Sequence, residues 1–76
     1  MDIREDPALV RKHLAQAERD VGLGTRHVER QREIIAELGR DGHPTEQAEQ
    51  LLQTFEDSLS LHVSERDRLQ KELAKW

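Results

Sequence analysis

The sequence predicts an all-α protein: an antiparallel two-helix hairpin, coiled-coil-like, that dimerises into a four-helix bundle. Three observations predict it. Leu14, Val21, Val28 and Ile35 recur at seven-residue spacing. A second grid holds Leu52, Leu59 and Leu73, with Phe55, Leu69 and Trp76 each three residues after a position of that grid. Between the two lies a break, Gly39 to Pro44, with two glycines and a proline in six residues. A sustained apolar heptad marks helices that pack along a seam, and a short break joins antiparallel neighbours.

Helix 1 is expected over about 7–38, the turn over 39–44 and helix 2 over about 45–75, all in one domain. Asp2 and Glu5 have the spacing of a capping pair. Asp6-Pro7 is the stronger start signal, because Asp caps well and Pro is favoured at the first helical position. Gly39 suits the left-handed position that closes a helix. Thr45 is the expected N-cap of helix 2, with Glu46 and Glu49 near its first turn, where the helix dipole favours negative charge. Lys71 and Lys75 carry the favourable sign at its far end.

The centre of the break lies between Asp41 and Gly42, so residues equidistant from that point should face each other. The layers then read Ile35 with Ala48, Gln31 with Leu52, Val28 with Phe55, Gly24 with Leu59, Val21 with His62, Ala17 with Arg66, Leu14 with Leu69 and Val10 with Leu73. Several match a small residue with a large one, as even filling requires. On the flanks Arg32 is expected near Glu49 and His13 near Glu72. Asp20 near Glu65 is a like-charge mismatch. Gln31, His62 and Arg66 form a polar core set that fixes register and oligomeric state at some cost in stability. The sharper reading of these three is a polar ligand pocket or a pH-sensitive switch.

A lone hairpin buries one side of each helix, and so small a core rarely gives useful stability. Self-association is the simplest remedy. Ile34 and Leu51 widen the apolar stripe beside the seam near the turn, and Leu23 and Leu61 lie further round. These four are the expected dimer or partner interface. The competing arrangement is a monomer that offers the same patch to a different protein.

Composition narrows the function classes. Charged residues are 37% of the 76 and aromatics 3%, which leaves no wide core. Acidic residues number 16 against 12 basic ones, a balance that disfavours nucleic acid as a partner. There is no cysteine, so neither a disulfide framework nor a thiolate site is available. No apolar run approaches the roughly 20 residues that span a bilayer, and the first residues lack a signal-peptide core. A cytoplasmic, non-enzymatic protein with no cofactor and no membrane partner is expected. Its partner is a second copy of itself, with another protein as a further possibility.

His13, His27, His43 and His62 raise the alternative of a His/carboxylate metal-binding bundle. Di-metal bundles use Glu-x-x-His, and Val10, Gly24 and Leu59 stand three residues before His13, His27 and His62. Metal, catalytic and cofactor residues are therefore all assigned as none. Val21-Gly-Leu-Gly-Thr25 lacks the strand, third glycine and Lys-Ser/Thr pair of a phosphate loop. Close approach of a neighbouring helix, or a local bend, accounts better for Gly22 and Gly24. From Asp41 to Glu65 there is no Lys or Arg, while Arg26, Arg30 and Arg32 cluster in helix 1. This asymmetry fits intramolecular complementarity or an acidic partner-binding face.

The run His27-Val-Glu-Arg-Gln-Arg-Glu-Ile-Ile-Ala-Glu-Leu38, the turn Arg40-Asp-Gly-His43, Leu51-Leu-Gln-Thr-Phe-Glu56, Leu61-His62 and Arg66-Asp-Arg-Leu69 together resemble a family of small helical proteins of rhizobial and other alphaproteobacterial genomes. The resemblance covers about Leu14 to Leu73. Members carry a charged or polar run where this chain has Val21-Gly-Leu-Gly24. The resemblance implies a bacterial helical hairpin and supplies no activity or catalytic residue.

Overall fold

The computed structural model describes residues 6–76, so the Asp2–Glu5 pair lies outside the described residues. Two helices account for nearly all of it: α1, Pro7–Arg40, and α2, Glu46–Leu73. They pack against each other in one layer, an antiparallel helical hairpin.

Asp6 starts α1 as its chemistry requires. Its Oδ1 accepts from the amides of Ala8 (2.8 Å) and Leu9 (3.2 Å), and Pro7 follows at the first helical position. The other end differs from expectation. Gly39 stays helical, and Gly42, at φ 75°, takes the left-handed conformation. His43 N–H donates to the Leu38 carbonyl at 2.9 Å, and Gly42 N–H to that of Gly39 at 3.2 Å. These two bonds make a Schellman closure centred on Gly42, which carries α1 two residues further than the sequence suggests. Two glycines three apart both offered a stop, and the later one lets the helix run on to Arg40. Thr45 occupies the N-cap position of α2, but its side chain makes no capping hydrogen bond. Glu46 and Glu49 supply the first turn's negative charge. α2 ends at Leu73, two residues short of expectation.

Packing is uneven along the hairpin. At the open end, away from the turn, Val10, Ala17 and Leu69 form a buried cluster with Leu14 and Leu73 against it. Val28 is buried in the middle. Toward the turn Ile34, Ile35, Leu38, Leu52 and Phe55 are only half-buried. Leu14, Val21 and Leu59 are also half-buried, so the seam sequestered from water is shorter than the heptad pattern.

The facing levels can be read from cross-helix geometry. Gly24 lies against Leu59: a Cβ at Gly24 would come within 3.1 Å of Leu59 Cδ1. His27 stacks its ring on Phe55, with centroids 5.5 Å apart at 37°. His62 Nδ1 lies 3.9 Å from Asp20 Oδ2. All three pairs stand almost equidistant from the turn. Gly24 is thereby explained as a close approach. Gly22 is not, because nothing lies within 4 Å of a Cβ there.

Candidate interaction face

A single layer of two helices has two broad faces, and these two differ in chemistry. One is crossed by an ion pair: Arg32 Nη2 lies 3.1 Å from Glu56 Oε2, above a floor of Val28, Leu59 and Val63. Thr25, Glu29, Ser60 and Ser64 complete it. The expected Arg32–Glu49 contact is replaced because a helical side chain leans toward its own N-terminus. That lean carries Arg32 away from the turn and onto Glu56.

The opposite face carries the leucines. Helical spacing puts Leu9, Leu23, His27 and Ile34 along α1 on the side where Leu51, Ser58 and Leu61 line α2. Asp20, Leu23, Gly24, His27, Phe55, Ser58 and His62 line one depression on this face. Leu23 is 51% exposed, Leu51 44%, Leu61 72% and Leu9 40%. Ile34 is half-buried. Leu23 and Leu61 stand at one level, and Ile34 and Leu51 at another nearer the turn. The two apolar rungs are about 11 residues, roughly 16 Å, apart along α1. The His27–Phe55 ring pair lies between them. The four residues expected at the interface therefore share one face.

The polar core set separates. Gln31 is 5% exposed, and its Nε2 donates to the Ala48 carbonyl at 2.8 Å, a bond that ties α1 to α2 one turn nearer the connection than Leu52. His62 and Arg66 do not fill the core. The His62 side chain is 42% exposed and turns to Asp20 at the edge of the seam. Arg66 is held by Asp67, with Nη2 at 3.0 Å from Oδ1. A charged or polar head at a seam position gains more by reaching water than by entering the core.

The like-charge mismatch expected between Asp20 and Glu65 is resolved locally. Both border a shallow depression that also holds His13. Asp20 accepts from Gln16 Nε2 at 2.9 Å and faces His62. Glu65 engages Arg68, whose Nη2 lies 2.7 Å from Oε1. The Arg68 hydrogen bond holds the Glu65 carboxyl below its ordinary range, with charge attraction from Arg68 and His13 adding to it. His13 thus acts on Glu65 across the two helices.

Ser58, His62 and Asp20 are residue types of a nucleophile relay, and they gather on the leucine face. They do not form one. No hydrogen bond joins Ser58 to His62, and 3.9 Å between His62 and Asp20 exceeds hydrogen-bond reach. The surrounding amides belong to helix interiors, where they are spent on the helical ladder and cannot serve as oxyanion donors. Among the described residues, no group of three or more His, Asp or Glu side chains converges as a metal site would require. Nor, among those residues, is any helix long and apolar enough to cross a membrane.

Sequence reasoning missed the Asp20–His62 pair and the His27–Phe55 stack. Both were signalled by the level rule, which sets each partner within one residue of the other. The sequence matches no protein-family model, no curated protein and no solved structure.

Proposed function

We propose that this chain is a non-enzymatic interaction module. Two hairpins associate through the leucine face into a four-helix bundle, which serves as a small adaptor or regulator of another protein. One observation carries the reading: helical spacing sets Leu23, Ile34, Leu51 and Leu61 on a single face, where Leu23, Leu51 and Leu61 are exposed. Scattered exposed leucines are ordinary on a protein surface, but two aligned apolar rungs on one face are an interface pattern. The half-buried Phe55, which borders the depression on this face, adds to it, because a layer packed there completes its burial.

Replacing Ile34 and Leu51 together with Glu tests the proposal. Multi-angle light scattering should report a dimer for the native chain and a weakened dimer for the variant. Helix content per chain, read by circular dichroism, should fall only in part. A variant that remains as dimeric as the native protein contradicts this placement of the interface.

A further inference from the structure

We infer that the second copy docks with its turn at the same end of the bundle, so that α1 of each chain lies over α2 of its partner. This inference rests on the proposed dimer. A face-to-face pair has its two-fold axis in the plane of contact. The axis runs either along the hairpin, with turns together, or across it, with turns at opposite ends. Both make every neighbouring helix antiparallel, so helix packing alone does not choose. Three features of the face do.

The first is the placement of the rungs. With turns together, Leu23 comes level with Leu61 of the partner subunit, and Ile34 with the partner's Leu51, with no sliding of one chain past the other. With turns opposed, the rungs meet only if the axis passes near the His27–Phe55 level. That point lies about five residues from the middle of α1, so the chains slide past each other by roughly 15 Å.

Area is the second. Full overlap along α2, about 42 Å, across two helices about 20 Å wide covers roughly 800 Å² on each chain, the size of a stable interface. A 15 Å slide removes about a third of that and leaves Leu9 uncovered at the open end.

Charge is the third. Arg26 borders Leu23 on the rim of the leucine face and makes no ion pair among the described residues. Asp57 accepts from Gln53 Nε2 at 2.9 Å and has no cationic partner among those residues. The two stand at the same level on opposite outer edges of one hairpin. With turns together, each Arg26 comes level with the partner's Asp57 on the same edge. With turns opposed and rungs matched, Arg26 instead comes level with the partner's Arg30. The stretch from Asp41 to Glu65, which has no Lys or Arg, then also loses Arg26, Arg30 and Arg32 of the partner's α1 as neighbours.

The chain has no cysteine, so an Asp41→Cys variant carries one nitroxide label per subunit, at the exposed turn. Turns together place the two labels within about 20 Å; turns opposed place them more than about 35 Å apart. Dipolar electron paramagnetic resonance on the full chain reads the difference. A short intermolecular distance supports the arrangement. A long distance overturns it while leaving the dimer intact, and no intermolecular coupling overturns the dimer as well. Charge reversal gives a second readout. Arg26→Asp should raise the dimer dissociation constant about fivefold, and adding Asp57→Arg should restore it. Failure of the double variant to recover argues against turns together.

Discussion

Gly24 fits against Leu59 so closely that a Cβ would lie 3.1 Å from Leu59 Cδ1, whereas a Cβ on Gly22 would meet nothing within 4 Å. Both glycines are helical and cost α1 about 0.8–1 kcal/mol each relative to Ala. Only Gly24 has a packing reason to be there. Gly22→Ala is therefore expected to stabilise the protein by about that amount, and Gly24→Ala by less, because Leu59 must give way. Urea unfolding at one fixed protein concentration compares them, since an associating chain unfolds in a concentration-dependent way. Equal gains at the two positions would contradict the packing account of Gly24.

Gln31 is a buried polar residue of the seam, and its side chain donates across the helices to the Ala48 carbonyl. That carbonyl lies inside α2, where the helical ladder also uses it. Gln31→Leu leaves no orphaned group in the core, so stability should change by less than about 1 kcal/mol. Gln31→Ala removes the same bond and also the volume, and should destabilise more than Gln31→Leu. Denaturation midpoints of the two variants check the order. The specificity role predicts a further effect: Gln31→Leu should broaden the distribution of oligomeric states in sedimentation velocity.

Burial rather than ion pairing holds the hairpin closed. Leu69 is 2% exposed in the open-end cluster, and Leu69→Ala should cost about 2–5 kcal/mol. The Arg32–Glu56 pair crosses the helices at 3.1 Å, but the Arg32 side chain is 61% exposed, and Arg32→Gln should cost about 0–1 kcal/mol. Thermal melts followed by circular dichroism should rank them in that order.

Glu65 sets a pH dependence of known sign. Its carboxyl is held below the ordinary range by the Arg68 hydrogen bond, then by attraction from Arg68 and His13. A depressed folded value means that the pair's stabilisation is complete above the unfolded value, about 4.3, and fades as pH falls through the folded value. A carbon-detected NMR titration should find Glu65 protonating at lower pH than an ordinary Glu. In Arg68→Gln its midpoint should move back up. No movement would mean that Arg68 is not the cause.

Much of this fold is written in its heptads, because an apolar residue every seven positions leaves few ways to bury the seam. The level rule follows from the short turn alone, and it places Gly24 at Leu59, with Asp20 and His27 within one residue of His62 and Phe55. Finer features depend on choices the pattern does not make. Gly39 and Gly42 were both able to close α1, and the chain uses the one that adds helical bonds. Arg32 is long enough to choose between carboxylates on α2, and it pairs with Glu56. His62 occupies a seam position by count, yet its ring is drawn to Asp20 at the edge. The leucine face was legible as four residues, Leu23, Ile34, Leu51 and Leu61. The level rule also pairs Leu23 with Leu61 and Ile34 with Leu51, as two rungs.

The claim on which the rest depends is that the leucine face is covered by a second copy. Native mass spectrometry of the untagged chain at micromolar concentration tests it most directly, since it reports mass and any bound metal together. The expected species has twice the 8.9 kDa chain mass with no metal attached. A monomer throughout that range, or a dimer that carries stoichiometric zinc, iron or copper, would contradict it.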